Sequence, residues 1–225
     1  MPIQGPLPFK RFSRKTLYFM LWMSLLLFAL GVFLFISLKM SQSSPPSLDS
    51  TLLLWAARHR TPVLNKIFLS ITSLGSETLI VLFTAMGFFL FLLAKDGFSA
   101  VLLVMSPSGA GLCSLVLKHF YRRERPLFAS PLVLENSFSY PSGHSLLAAS
   151  FYLALGLLAC RYFSSWRDRA VVVVLACVIV GMVGLSRIYL GVHFPTDVAS
   201  GTILGAAWAL GLTGILFMRK ADKQA

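Results

Sequence analysis

The sequence predicts an all-α fold: a polytopic membrane protein with six transmembrane helices plus a short interfacial helix between the first two. Three observations carry this. Of the 225 residues, 56% are hydrophobic and only 12% charged, whereas a soluble domain is roughly a quarter charged. Mean hydropathy is +0.77, and several apolar runs approach or exceed the roughly 20 residues that cross a bilayer. The basic residues behind the net charge of +12 gather at the ends of those runs, where cations set topology or meet anionic lipid. That placement argues against nucleic acid as a partner. No protein partner is implied; membrane lipids are the expected surroundings.

The chain divides into an N-terminal cytoplasmic segment (1–15), a six-helix membrane domain (16–218) and a cytoplasmic tail (219–225). The first span, 16–38, follows Lys10, Arg11, Arg14 and Lys15. Those cations resemble a secretory leader, but the apolar part is too long and no small-residue cleavage site follows, so an uncleaved anchor is expected. A Pro/Ser turn then leads into a short amphipathic helix. Ser47 suits its N-cap, and Leu48, Leu52 and Trp55 share one face that would lie on the outer membrane surface. The second span, 67–94, is long and carries Glu77; the others are 98–117, 143–160, 170–186 and 198–218. Cys113, Cys160 and Cys177 lie within or beside apolar runs, which makes them packing residues rather than a disulfide framework.

Three polar clusters fall at one membrane face under this topology. The stretch KHFYRRERP places Lys118 and Arg125 at the end of the third span. Pro141-Ser142-Gly143-His144 opens the fourth, and SRIYLGVHFPTD, with Arg187, His193 and Asp197, links the fifth to the sixth. Two guanidinium forks and an ammonium suit multidentate phosphate recognition. Ser142 and Gly143 can aim backbone N–H groups at an anion on the positive end of a helix. His193 and Asp197 are spaced i,i+4 at a Pro-initiated helix start. The aspartate can therefore fix the ring's tautomer and leave its other nitrogen free as a nucleophile. His144 could protonate the leaving oxygen. A metal is disfavoured because three cations would repel it, and no cofactor is called for.

Lys-x6-Arg-Pro, Pro-Ser-Gly-His and Ser-Arg-x5-His-x3-Asp together resemble the signature of the type 2 phosphatidic acid phosphatase superfamily, in its bacterial membrane branch. The resemblance covers nearly the whole chain and is specific to superfamily, not to substrate. It implies a membrane phosphatase domain with His193 as nucleophile, Asp197 as its partner and His144 as general acid. It also implies phosphate binding by Lys118, Arg125, Ser142, Gly143 and Arg187. The expected activity is metal-independent hydrolysis of a lipid phosphomonoester or diphosphate through a phosphohistidine. Undecaprenyl diphosphate is favoured as a common role of compact members; phosphatidylglycerophosphate, phosphatidate and lipid A phosphates are alternatives. Phosphotransfer to a second lipid, anion transport and vanadate-dependent oxidation are competing readings.

Orientation follows from the flanking cations. With a cytoplasmic N-terminus, 11 basic residues fall inside and 9 outside; setting aside Lys118, Arg125 and Arg187 for chemistry leaves 6 outside. Both termini are then cytoplasmic and the site faces the periplasm or cell exterior, in a bacterial inner membrane. The polar residues left over are expected to matter less. Arg122, Arg123, Glu124 and Glu135 read as solvated loop charges, and His59 and His119 as interfacial. Pro107-Ser108-Gly109, a copy of the later motif without its histidine, reads as a helix irregularity. Glu77, an ionisable residue inside a span, stays a candidate for function, for pairing with a site cation or for capping.

Overall fold

The computed structural model describes residues 14–40 and 47–222, with 14, 15, 18, 39, 40 and 215–222 as backbone. The expected segment 1–15 thus lies outside the described residues up to Ser13, as do the Pro/Ser turn at 41–46 and the tail beyond Asp222. Among the described residues there are eight α-helices and no strand: α1 (Arg14–Met40), α2 (Ser47–Arg58), α3 (Pro62–Ser73), α4 (Glu77–Leu93), α5 (Gly97–Tyr121), α6 (Gly143–Ala159), α7 (Trp166–Tyr189) and α8 (Pro195–Asp222). Four helices are long and apolar enough to cross a membrane: α1 over Phe19–Leu38, α5, α6 with the turn that follows it, and α7. The bent pair α3–α4 would make a fifth. The expected span 198–218 falls in α8.

The expected continuous span 67–94 is corrected to two helices that meet at 47°. The break is local chemistry. Ser76 caps α4 by accepting from the Leu79 N–H at 3.3 Å, and α3 starts one step after Thr61, which caps it in the same way. A Cβ on Gly75 would meet Val183 Cγ1 at 2.6 Å and the His144 carbonyl at 3.1 Å. The bend therefore brings backbone against the first turn of α6. Glu77 sits exposed in the first turn of α4 behind the Ser76 cap.

α6 is the centre of the bundle, with 61% of its span buried, more than any other candidate span. Ala148, Ala149 and Phe151 are fully enclosed, and α4, α5, α7 and α8 pack around it. Its tightest neighbour is α8, through a stripe of small residues. A Cβ on Gly201 would lie 2.5 Å from the Ser142 carbonyl oxygen, and one on Gly205 2.4 Å from that of Leu146. Without a hydrophobic drive between helices in lipid, such backbone-to-backbone contact is what holds them. α5 continues as helix through Pro107. Trp208 on α8 donates to the Ser106 carbonyl at 3.0 Å, and its ring covers Gly109. The first Pro-Ser-Gly is thus a packing surface within a continuous helix, in which Pro107 still withholds one backbone N–H.

α2 lies where the interfacial helix was expected, with Leu48 and Trp55 largely exposed and Leu52 moderately so. Its opposite face, Asp49, Leu53 and Ala56, is buried. Ser47 is already the first helical residue, so the capping position lies outside the described residues. At the far end of the bundle Asp96 caps α5 and pairs with Arg161 at 2.8 Å. That pairing ties the α6–α7 turn to the start of α5.

Candidate active site

The last turns of α5 and α7 and the first turns of α6 and α8 meet at one end of the bundle, roofed by the loop 122–142. From α5, Lys118 Nζ donates to Ser137 Oγ at 3.0 Å and to the Phe138 carbonyl at 2.6 Å. From the loop, Arg125 Nε donates to the Ser137 carbonyl at 2.7 Å and Nη2 to Ser137 Oγ at 3.1 Å, so the two cations share anchors. From α7, Arg187 Nη1 donates to Thr72 Oγ1 on α3 at 2.8 Å. Its Nη2 ion-pairs with Glu135, and its Nε is buried with no partner.

His193 lies in the loop before α8, enclosed almost completely. Arg125 Nη1 is 3.2 Å from its Nε2 and also donates to the Val192 carbonyl at 2.8 Å. Guanidinium has no acceptor, so Nε2 must offer its lone pair and the proton belongs on Nδ1. Nδ1 in turn faces Ser139 Oγ at 3.3 Å and Asp197 Oδ2 at 3.5 Å. Burial, and then the charges of Arg187, Arg125 and Lys118, hold this ring well below its ordinary value of 6.5. The nitrogen that faces the cations is therefore unprotonated, as a nucleophile must be.

Asp197 is fully buried and fully partnered. Ser139 Oγ donates to Oδ2 at 2.5 Å and the Phe194 N–H to the same oxygen at 3.0 Å, while Arg123 ion-pairs with Oδ1. The other fork of Arg123 reaches Asp49 on α2 at 3.0 Å, and its plane stacks 3.8 Å from the Phe194 ring centroid. Asp49 also accepts from the Thr196 N–H at 3.0 Å and from Thr196 Oγ1 at 2.5 Å. Ser142 N–H donates to the Asp197 carbonyl at 3.1 Å, which joins the start of α6 to that of α8. Ser142 makes no capping bond to the first turn of α6; its Oγ accepts from Ser145 at 3.0 Å. A Cβ on Gly143 would meet Ser114 Oγ at 3.3 Å and Lys118 Cε at 3.8 Å, so the backbone comes close to the cation here. His144, on the next residue, is half-buried in the first turn of α6.

Two expectations change. Arg123 and Glu135 are not solvated loop charges. Arg123 bridges two buried carboxylates, and Glu135 bridges Arg187 and, at 3.2 Å, Arg125. Burial works to raise the Glu135 carboxyl, but the two guanidiniums outweigh it and hold it at about 2, against an ordinary 4.5.

This geometry can be set beside known proteins. A family model described as the PAP2 superfamily matches residues 97–221. The chain belongs to the PAP2 superfamily. It is 38% identical over 179 residues to phosphatidylglycerophosphatase B of Bacillus subtilis, covering 77% of this chain and 85% of that one. The crystal structure of a transmembrane PAP2 type phosphatidylglycerolphosphate phosphatase from Bacillus subtilis superposes with a TM-score of 0.79 at 33% identity, over 87% of this chain and 96% of that one. An undecaprenyl-diphosphatase of Sulfolobus acidocaldarius is 28% identical over 148 residues, 64% of this chain and 66% of that protein. With its apolar helices, this PAP2 chain is an integral membrane protein. The residues that spacing alone did not single out in it are Asp49, Arg123, Glu135 and Ser139. Only Asp49 carried a signal, an acid in register with Leu53 and Ala56 on a face that had to be buried.

Proposed function

We propose that the protein is a lipid phosphate phosphatase that works through a phosphohistidine. The observation that carries this reading is His193. Its unprotonated Nε2 faces Arg125 while its other nitrogen is backed by Ser139 and Asp197. In the first step Nε2 attacks phosphorus and the bond from phosphorus to the lipid oxygen breaks. That oxygen leaves with a proton from His144. In the second, water attacks the phosphohistidine, gives a proton to His144 and releases orthophosphate. Lys118, Arg125, Arg187 and the N–H groups opening α6 would carry the charge of the transferring group.

A cleft of about 670 Å³ supports a lipid as the carrier of the phosphate. Its lining is mostly apolar and drawn from α4, α5 and Leu147 of α6, one turn beyond His144. Between headgroups, similarity to the Bacillus phosphatidylglycerophosphatase favours phosphatidylglycerophosphate ahead of undecaprenyl diphosphate, the substrate first expected from the sequence. The distribution of basic residues favours the extracytoplasmic face for the site, in a bacterial inner membrane under the same reading. The test is phosphate release in mixed micelles from phosphatidylglycerophosphate, undecaprenyl diphosphate, phosphatidate and a lipid A phosphate. Release from at least one lipid is expected, inhibited by orthovanadate and unaffected by a chelator. His193→Ala should reduce it to background; retained activity would end the nucleophile assignment.

A further inference from the structure

Glu135 stands where an anion is needed, and it belongs to the protein. Its two oxygens bridge Arg187 and Arg125, the guanidiniums assigned above to the substrate phosphate. Those arginines are 1% and 9% exposed at the side chain, whereas Glu135 is 22% exposed. Its segment, 130–142, is irregular backbone rather than helix. The carboxylate is thus the outermost and least constrained member of the cluster. It also leaves work undone, since Arg187 Nε stays buried and unpaired. A phosphate, with more oxygens and more charge, can satisfy that donor as well as those Glu135 holds.

Resting on the phosphatase reading, we propose that Glu135 is an internal counter-anion, displaced by the substrate's phosphate and returning afterwards to help expel orthophosphate. Two needs meet in it. Buried cations with no anion between them would repel one another, so the cradle requires a negative charge before phosphate arrives and after it leaves. A cradle that held every phosphate equally well would keep its product, since affinity common to substrate, transition state and product does not raise turnover. A tethered carboxylate weakens the binding of all competing anions by one common factor while leaving the groups that stabilise the transition state in place.

The sign of the effect separates this role from a structural one. In purified protein in detergent, the inhibition constants of orthophosphate and orthovanadate are measured for wild type and Glu135→Gln. The stabilisation of each protein against heat by the same anions is measured as well. Both constants should fall together by about tenfold, the size of one lost charge-assisted pair, and thermal stabilisation should begin at correspondingly lower anion concentration. If Glu135 only holds the arginines in place, removing it splays them and both anions bind more weakly; that result, or no change, overturns the proposal. Where E135Q is not recovered folded, E135A, which also removes the charge, is read in the same way: tighter anion binding supports the proposal and weaker or equal binding overturns it. The thermal measurement needs no turnover. A wild type that hydrolyses no lipid phosphate would therefore sink the phosphatase reading, while anion constants that fail to tighten would sink this inference alone.

Discussion

Every oxygen of the Asp197 carboxylate is committed before it meets His193. Ser139 and the Phe194 N–H hold Oδ2, and Arg123, itself anchored by Asp49, holds Oδ1. The carboxylate can therefore turn neither its plane nor its charge away from the ring. Replacing Arg123 by glutamine removes a charge-assisted bond worth about 1.5–3 kcal/mol, so kcat should fall roughly ten- to a hundredfold if that bond acts through the His193 orientation. The pH profile gives the sharper reading. Lys118, Arg125 and Arg187 oppose protonation of His193, and Glu135 favours it. With His193 held below its ordinary value, the acid limb of kcat/KM should lie below the usual imidazole range. Loss of the Arg123 charge leaves Asp197 more negative toward the ring, which raises its proton affinity and moves that limb to higher pH. Asp49→Asn should move the limb less, because Asp49 reaches His193 only through Arg123 and Asp197, although its NH2 replaces one of the two oxygens that accept from Arg123 and Thr196. A profile unmoved in R123Q would mean that Arg123 is structural only.

At the scale of elements, the site depends on how closely α8 approaches α6. Gly201 touches the carbonyl of Ser142 and Gly205 that of Leu146, so their missing side chains set the distance between the Pro-Ser-Gly-His turn and the His193–Asp197 turn. Either glycine changed to alanine forces backbone apart, at a cost of about 1–3 kcal/mol. Gly205→Ala is expected to lower the thermal midpoint with a modest loss of activity. Gly201→Ala, one turn from Asp197, should lose activity out of proportion to its stability, because it opens the Ser142 N–H to Asp197 carbonyl bond of 3.1 Å. Equal activity losses at equal loss of stability would show that this approach does not position the site. The 107–109 copy makes the complementary point. Its glycine serves packing against Trp208, and what lies around a Pro-Ser-Gly decides its use.

For the whole molecule, the orientation drawn from the basic residues places the loop 122–142 outside and the α6–α7 turn inside. Leu134 is exposed in the loop, and Cys160 lies at the turn. With Cys160 as the reporter in a background where Cys113 and Cys177 are serine, a membrane-impermeant thiol reagent should label intact cells only after permeabilisation. Leu134→Cys in a background without the other cysteines should label directly; the reverse pattern would invert the topology. The sequence by itself determined the membrane class, the bounds of the long helices to within a few residues apart from the broken second one, and the three motifs, because hydropathy and short spacings are local properties; the count of six spans is not among these, since four helices and one bent pair are long and apolar enough to cross. Only the tertiary structure decided that Arg123 and Glu135 join the buried charge cluster while neighbouring Arg122 stays exposed. Their partners, Asp49, Asp197, Arg125 and Arg187, lie on separate elements, and for most of these pairs tens of residues lie between the two charges. Pairing between charges so far apart in sequence leaves no periodicity to read; it exists once α2, α7 and α8 have folded around the loop.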